Sequence, residues 1–196
     1  MRRRAILTAF LALAGCGLSE RPHVDKRIWP LAVRRPVAAP PATRGRVLLV
    51  RAVRAAPGLE ARGVQWLQPD GSMHVDFYEE WAVPPADAVD TDLRQWLAES
   101  GVFRAVLAPG SRLSPDLIAE PELLAFWADL PAGQARCALS VVLLDQRPGS
   151  ATGVLMQRTF SAAVPLTTTD APAIVENLRA ALADVLRQIE AALSAM

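Results

Sequence analysis

The stretch Met73-His74-Val75-Asp76-Phe77-Tyr78-Glu79-Glu80-Trp81-Ala82-Val83-Pro84-Pro85-Ala86-Asp87-Ala88-Val89 changes its period in the middle. Met73, Val75 and Phe77 alternate with polar residues, the two-residue repeat of a strand. Pro84-Pro85 stops that strand and opens a helix, in which Ala86, Val89, Leu93, Trp96 and Leu97 recur at helical spacing. Gly101 suits the C′ position, where a left-handed residue ends a helix. Upstream, Val64 and Trp66 alternate in the same way, and Pro69-Asp70-Gly71-Ser72 between the two segments predicts a hairpin turn.

Outward from this strand and helix, strands prevail. Val47 to Val53 is a β-rich apolar run ended by Pro57-Gly58, and Val102 to Leu107 returns as a strand closed by Pro109-Gly110. Between Ser114 and Leu130, the residues Leu117, Ile118, Leu123, Leu124, Phe126 and Trp127 fit a helix or a strand. The neighbouring hairpins favour a strand around Glu122 to Ala128. Arg136 to Asp145 and Val154 to Val164 read as strands flanking the turn Arg147-Pro148-Gly149-Ser150. Thr169 or Asp170 then caps a long helix with Pro172 in its first turn. Its apolar stripe is Ile174, Leu178, Ala181, Leu182, Val185, Ile189 and Leu193. One helix between two groups of strands and one after them predict an α+β domain over residues 46–196. Its sheet is antiparallel-rich or mixed, with two helices packed on one face.

The first residues carry a different message. Arg2, Arg3 and Arg4 precede an apolar run from Ala5 to Leu13, broken only by Thr8, as in a secretory signal over residues 1–15. The run is too short for a membrane-spanning helix, which takes roughly 20 residues. Leu13-Ala14-Gly15-Cys16 resembles the lipobox of bacterial lipoproteins. Small residues admit the peptidase before Cys16, and its thiolate takes a diacylglyceryl group as a thioether. An amide-linked acyl chain such as palmitate completes a stable anchor, since one chain alone holds only marginally. Gly17, where an Asp retains many Gram-negative lipoproteins in the inner membrane, points to the outer membrane, with the domain facing the periplasm. Residues 16–45 contain Pro22, Pro30, Pro36, Pro40 and Pro41 and few large apolar side chains, so most of them are expected to form a tether. A short edge strand is expected within 27–34, over Ile28-Trp29-Pro30-Leu31-Ala32-Val33.

Charge excludes one class of partner. Without its three signal arginines the chain has 18 Lys+Arg against 20 Asp+Glu, a formal charge of −2 where the whole sequence carries +1. A nearly neutral domain has no electrostatic footprint for nucleic acid. Cys16 is consumed by lipid, which leaves Cys137 without a disulfide partner, on the same strand face as Leu139, Val141 and Leu143. His74 and Asp76 lie two apart on one face but lack an evident third metal ligand, and a polar strand face is the commoner meaning of such a pair. Asp76, Glu79 and Glu80 are more ordinarily an exposed acidic edge than an acid/base cluster. No G-x-S-x-G elbow and no phosphate loop occur. No catalytic residue, metal or cofactor is assigned. Of the five tryptophans, Trp66 and Trp96 are expected in the core, while Trp81 at the strand-to-helix junction either locks the corner or meets a partner.

Several pieces together resemble the ABC-type transport auxiliary lipoprotein family, the PqiC-like group, from about Arg27 to the C-terminus. They are Trp29-Pro30-Leu31, the strand Arg46 to Arg51, Gly63-Val64-Gln65-Trp66, Phe77-Tyr78-Glu79-Glu80-Trp81 before Pro84-Pro85, Ala138 to Leu143, and the terminal amphipathic helix. An aromatic residue followed three positions later by Trp recurs in that family, and Tyr78 and Trp81 fill those places. The resemblance implies a fold like the N-terminal domain of TolB. It also implies a non-enzymatic auxiliary role beside ABC transporter components and MCE-domain proteins, moving lipids or other hydrophobic compounds across the envelope. A homo-oligomer is left open. The alternative is a lipid-anchored periplasmic enzyme or lipid-binding protein whose site is not visible in sequence.

Overall fold

A computed structural model of the protein describes residues 24–147 and 153–196. The expected signal and lipobox, and Pro148-Gly149-Ser150 of the expected turn, lie outside the described residues. The sheet is mixed and organised around one long strand, β7 (Leu117–Asp129). Three short strands run parallel to it, end to end along one edge: β2 (Val47–Val50), β3 (Arg54–Ala55) and β4 (Gly63–Leu67). The other edge pairs antiparallel with β8 (Gln134–Asp145), which pairs antiparallel with β9 (Val154–Pro165). Beyond the short strands, β6 (Ala105–Leu107) lies parallel to β2 and β5 (Met73–Trp81) antiparallel to β4. A three-residue β1 (Arg27–Trp29) adds parallel to the end of β5.

Pro121 accounts for one interruption. The carbonyls of Ala119 and Leu123 accept from the N–H groups of Arg51 and Ala56, so β7 residues of that parity face the edge holding β2 and β3. Pro121 shares the parity and has no N–H to offer there, and the neighbouring lane breaks between β2 and β3 at that level. The expected strand Val47 to Val53 is therefore split, while the strand expected around Glu122 to Ala128 is longer than its sequence core.

Helices α1 (Pro85–Ala98) and α2 (Ala171–Ser194) pack side by side on one sheet face, joined by a hydrogen bond from Trp96 Nε1 to Glu190 Oε2 at 2.7 Å. All the apolar positions expected for both helices are buried, together with Val175 and Leu186 of α2. From the sheet they meet Leu117, Ala119, Leu123 and Phe126 of β7, and Cys137, Leu139, Val141 and Leu143 of β8. Asp170 caps α2 by accepting the Ala173 N–H at 2.9 Å. That bond, with the Thr168 hydroxyl, holds its carboxyl below the usual range. Gly101 does adopt a left-handed φ of +74°, but two positions beyond the α1 cap residue Glu99 rather than next to it. A Cβ there would also meet Ala39 Cβ at 3.0 Å and Pro40 O at 3.1 Å.

Much of the segment expected as tether is fastened to the domain. Leu31 and Val33 are each only 7% exposed and join the core. The Ala39 N–H donates to Glu99 O, and the Ala42 N–H to Phe103 O. Strand β1 stops at Trp29, ahead of Pro30, so the chain from Leu31 onward runs over the helices instead of extending the sheet. In the sequence ten residues, 17–26, separate Cys16 from the start of β1.

Candidate functional site

Among the described residues, two places gather polar and aromatic side chains: the corner where β1, β5 and β4 meet, and the seam where residues 30–37 cross the helices.

The corner is built by a large bulge. Gln65 pairs with Val75 but Gly63 pairs with Glu80, so five residue steps of β5 answer two of β4. The Asp76 carboxylate gathers the extra chain by accepting the N–H groups of Tyr78 and Glu79 at 2.6 and 2.9 Å. Gly63 makes the bulge possible, because a Cβ on it would lie 2.3 Å from the Asp76 carbonyl oxygen and 2.6 Å from Val75 Cγ1. Bulges re-aim side chains, and this one reverses the sense of the strand. Met73, Val75 and Phe77, the apolar alternation that marks the strand in sequence, are 45%, 46% and 69% exposed. Glu79 and Trp81 turn inward instead.

The aromatic pair thus divides. Trp81 is 1% exposed and packs on Phe126 with ring centroids 5.5 Å apart, a residue of the core. Tyr78 is 45% exposed and meets the Phe77 ring edge-on at 5.2 Å. Trp96 is buried as expected, whereas Trp66 is half-buried and stacked on His74 at 4.4 Å.

The acidic residues of the corner are not an open edge. Glu79 is buried and accepts from Arg27 Nε at 2.7 Å and from Trp29 Nε1 at 2.7 Å, with Arg27 Nη2 also on it. Glu80 is shared by Lys26 and Arg62 at 2.6 and 3.6 Å. These pairs staple β1 to β5 and use the carboxylate lone pairs that a general base would need. The His74 and Asp76 side chains approach to only 3.9 Å, and among the described residues no group of three or more His, Cys, Asp or Glu could hold a metal ion.

At the helix seam, buried Asp92 of α1 accepts the Val33 N–H at 2.8 Å and Arg34 Nη1 at 2.9 Å. Burial pushes its carboxyl above the ordinary range in spite of both donors. Glu190 of α2 takes Arg35 in a two-pronged pair at 3.0 and 3.1 Å and Trp96 Nε1 at 2.7 Å. A groove of about 430 Å³ opens beside it, lined by Arg35, Val37, Trp96, Arg187 and Glu190. Neither clasp is visible in sequence, because its partners are 58 to 155 residues apart. The only trace is an acidic residue on an otherwise apolar helix stripe, at Asp92 between Val89 and Trp96. Cys137 is a buried thiol whose ionisation burial opposes. Cys16 and Leu13-Ala14-Gly15 lie outside the described residues, so the geometry brings nothing to them.

The fold has known counterparts. A crystal structure of a Xanthomonas campestris protein of the DUF330 family superposes with a TM-score of 0.70 at 23% identity, covering 83% of this chain and 92% of that one. An uncharacterised protein of solved structure gives 0.63 at 18% identity, covering 86% and 98%. A hypothetical protein from Chlamydia trachomatis gives 0.52 at 10% identity, covering 78% and 100%. At such identities these likenesses establish the fold alone. No curated protein matches the sequence. Among the described residues no helix is long and apolar enough to cross a membrane. Residues 30–190, from the proline that ends β1 to the glutamate that clasps Arg35, match the family model described as the ABC-type transport auxiliary lipoprotein component. The chain belongs to that family of auxiliary components of ABC-type transport.

Proposed function

We propose that the protein is a lipid-anchored periplasmic adaptor of an ABC transport system, without catalytic activity of its own, held at the outer membrane through Cys16. The family match over residues 30–190 carries this reading. The lipobox Leu13-Ala14-Gly15-Cys16 and the Gly17 that follows it supply the anchor and its membrane. MCE-domain proteins and the transporter's own subunits are the partners proposed, and lipids or other hydrophobic compounds the cargo. ATP hydrolysis falls to the transporter. Tethering raises the effective concentration of the domain to about the millimolar range for a short linker, so modest contacts suffice for docking. Trp81 is buried and acts through the shape of the core, whereas Tyr78 is exposed at the β5 bulge.

Two measurements test the proposal. Cys16→Ser should abolish fatty-acid labelling and leave unprocessed precursor, and unmodified Cys16 in the mature protein would refute the anchor. Photo-crosslinking in cells from the domain surface should capture an MCE protein or a transporter subunit. Capture of neither defeats the adaptor role.

A further inference from the structure

The apolar side chains that the β5 bulge turns outward form one patch with the start of the folded chain. Phe77 is 69% exposed, and Lys26 Nζ lies 4.5 Å above its ring centroid. Tyr78 touches the same ring, Ile28 is 59% exposed on the adjoining β1, and Val75 and Met73 continue along β5. Each of them keeps about 45% or more of its surface exposed. Farther across the sheet, the face away from the helices mixes polar and apolar side chains: Glu122, Ser140 and Thr159 lie in register with one another, and Glu120 and Gln157 flank Val142. Val154 and Leu155 at the β9 edge are also exposed, but no exposed aromatic ring accompanies them there as Phe77 and Tyr78 do at the β1–β5 corner.

We propose that this corner is a membrane-seating surface, in which Ile28, Val75, Phe77 and Tyr78 enter the interfacial layer of the bilayer that carries the Cys16 lipid. The inference rests on the lipidation of Cys16 proposed above. Position along the chain selects a bilayer as the occupant. Phe77 is tied to Lys26, and Lys26 is ten residues from Cys16, a reach of at most about 35 Å when fully extended. The β9 edge lies across the whole sheet from Lys26, five strand spacings of about 4.8 Å each away. Tyr78, an aromatic ring with a polar handle, is the kind of side chain that settles at headgroup level, beside the apolar ring of Phe77. An acyl anchor gains from a second membrane contact of this kind. Local charge is balanced, with Lys26, Arg27 and Arg62 against Asp76, Glu79 and Glu80. Apolar contact rather than anionic-lipid attraction then carries the seating, which makes it insensitive to salt.

The test uses the full-length lipidated protein reconstituted in phosphatidylethanolamine/phosphatidylglycerol vesicles, with Phe77→Trp as reporter and Leu155→Trp, exposed on the opposite edge strand β9, as control. Brominated acyl chains should quench the emission added at position 77 and leave that added at 155 unchanged, equally at low and high salt. Equal quenching at both positions, or none at 77, overturns the seating. So does photo-crosslinking in cells from position 77 to a second copy, to an envelope protein or to residues 16–23 in place of lipid. Intact mass of the same preparation reads the anchor separately. Lipidated protein without quenching at 77 defeats the seating alone, and unlipidated protein defeats both.

Discussion

Replacing Asp92 with alanine should loosen the proline-rich entry segment and destabilise the whole domain. The carboxylate is 3% exposed and accepts the N–H of Val33, itself 7% exposed, so truncation leaves a buried donor without a partner. An orphaned buried N–H costs about 1–3 kcal/mol. The lost pair with half-exposed Arg34 adds at most about 1 kcal/mol. Relief of the desolvated charge returns part of this, because burial already raises the Asp92 carboxyl above its ordinary range. A net loss of about 2 kcal/mol lowers Tm by roughly 4–8 °C in a domain of this length. Asp92→Asn keeps an oxygen for the Val33 N–H and removes the buried charge, so its loss should stay below about 1 kcal/mol. The sign of the pH effect follows from the raised carboxyl. Between its unfolded and folded pKa values the folded state binds more proton, so the Asp92 contribution to stability falls as pH rises through that window. Asp92→Asn abolishes this slope while leaving the opposite slopes of Asp70 and Asp170, whose folded pKa values are depressed. Thermal melts across the acid range, with hydrogen exchange of a peptide spanning residues 31–35, read both effects. Equal losses in the alanine and asparagine variants, or no change in Val33 exchange, would refute the reasoning.

The corner offers two further checks. Trp81→Ala should cost about 3–5 kcal/mol as a large core truncation. Tyr78→Ala, by contrast, should stay within about 0.5 kcal/mol, and urea unfolding of the two separates the core aromatic from the surface one. Gly63→Ala places a Cβ 2.3 Å from the Asp76 carbonyl oxygen, so it should lose at least about 1–3 kcal/mol of stability and change exchange rates in the 73–81 strand first. An unchanged midpoint would mean that the bulge relaxes without cost.

Local periodicity alone determined the elements that have one dominant face. The seven apolar positions of α2 and the five of α1 are buried as their spacing requires, since a helix of 3.6 residues per turn has no other way to remove them from water. In the same way Cys137, Leu139, Val141 and Leu143 of β8 form one buried row. The hairpin turn around Asp70-Gly71 is equally local, with the Asp70 carboxylate accepting the Ser72 N–H at 2.9 Å and Gly71 at φ +84°. Tertiary structure decided the rest. Whether Val75 and Phe77 or Glu79 and Trp81 face inward depends on three extra residues in β5, accommodated only because Gly63 on the neighbouring strand has no side chain. Whether residues 30–42 are tether or domain depends on Asp92 and Glu190, which meet Val33, Arg34 and Arg35 only once both helices have docked. Short-range patterns record the period of the backbone. The direction of a bulge and the path of a proline-rich segment are set by hydrogen bonds and ion pairs between residues far apart in the chain, and those exist only in the packed fold.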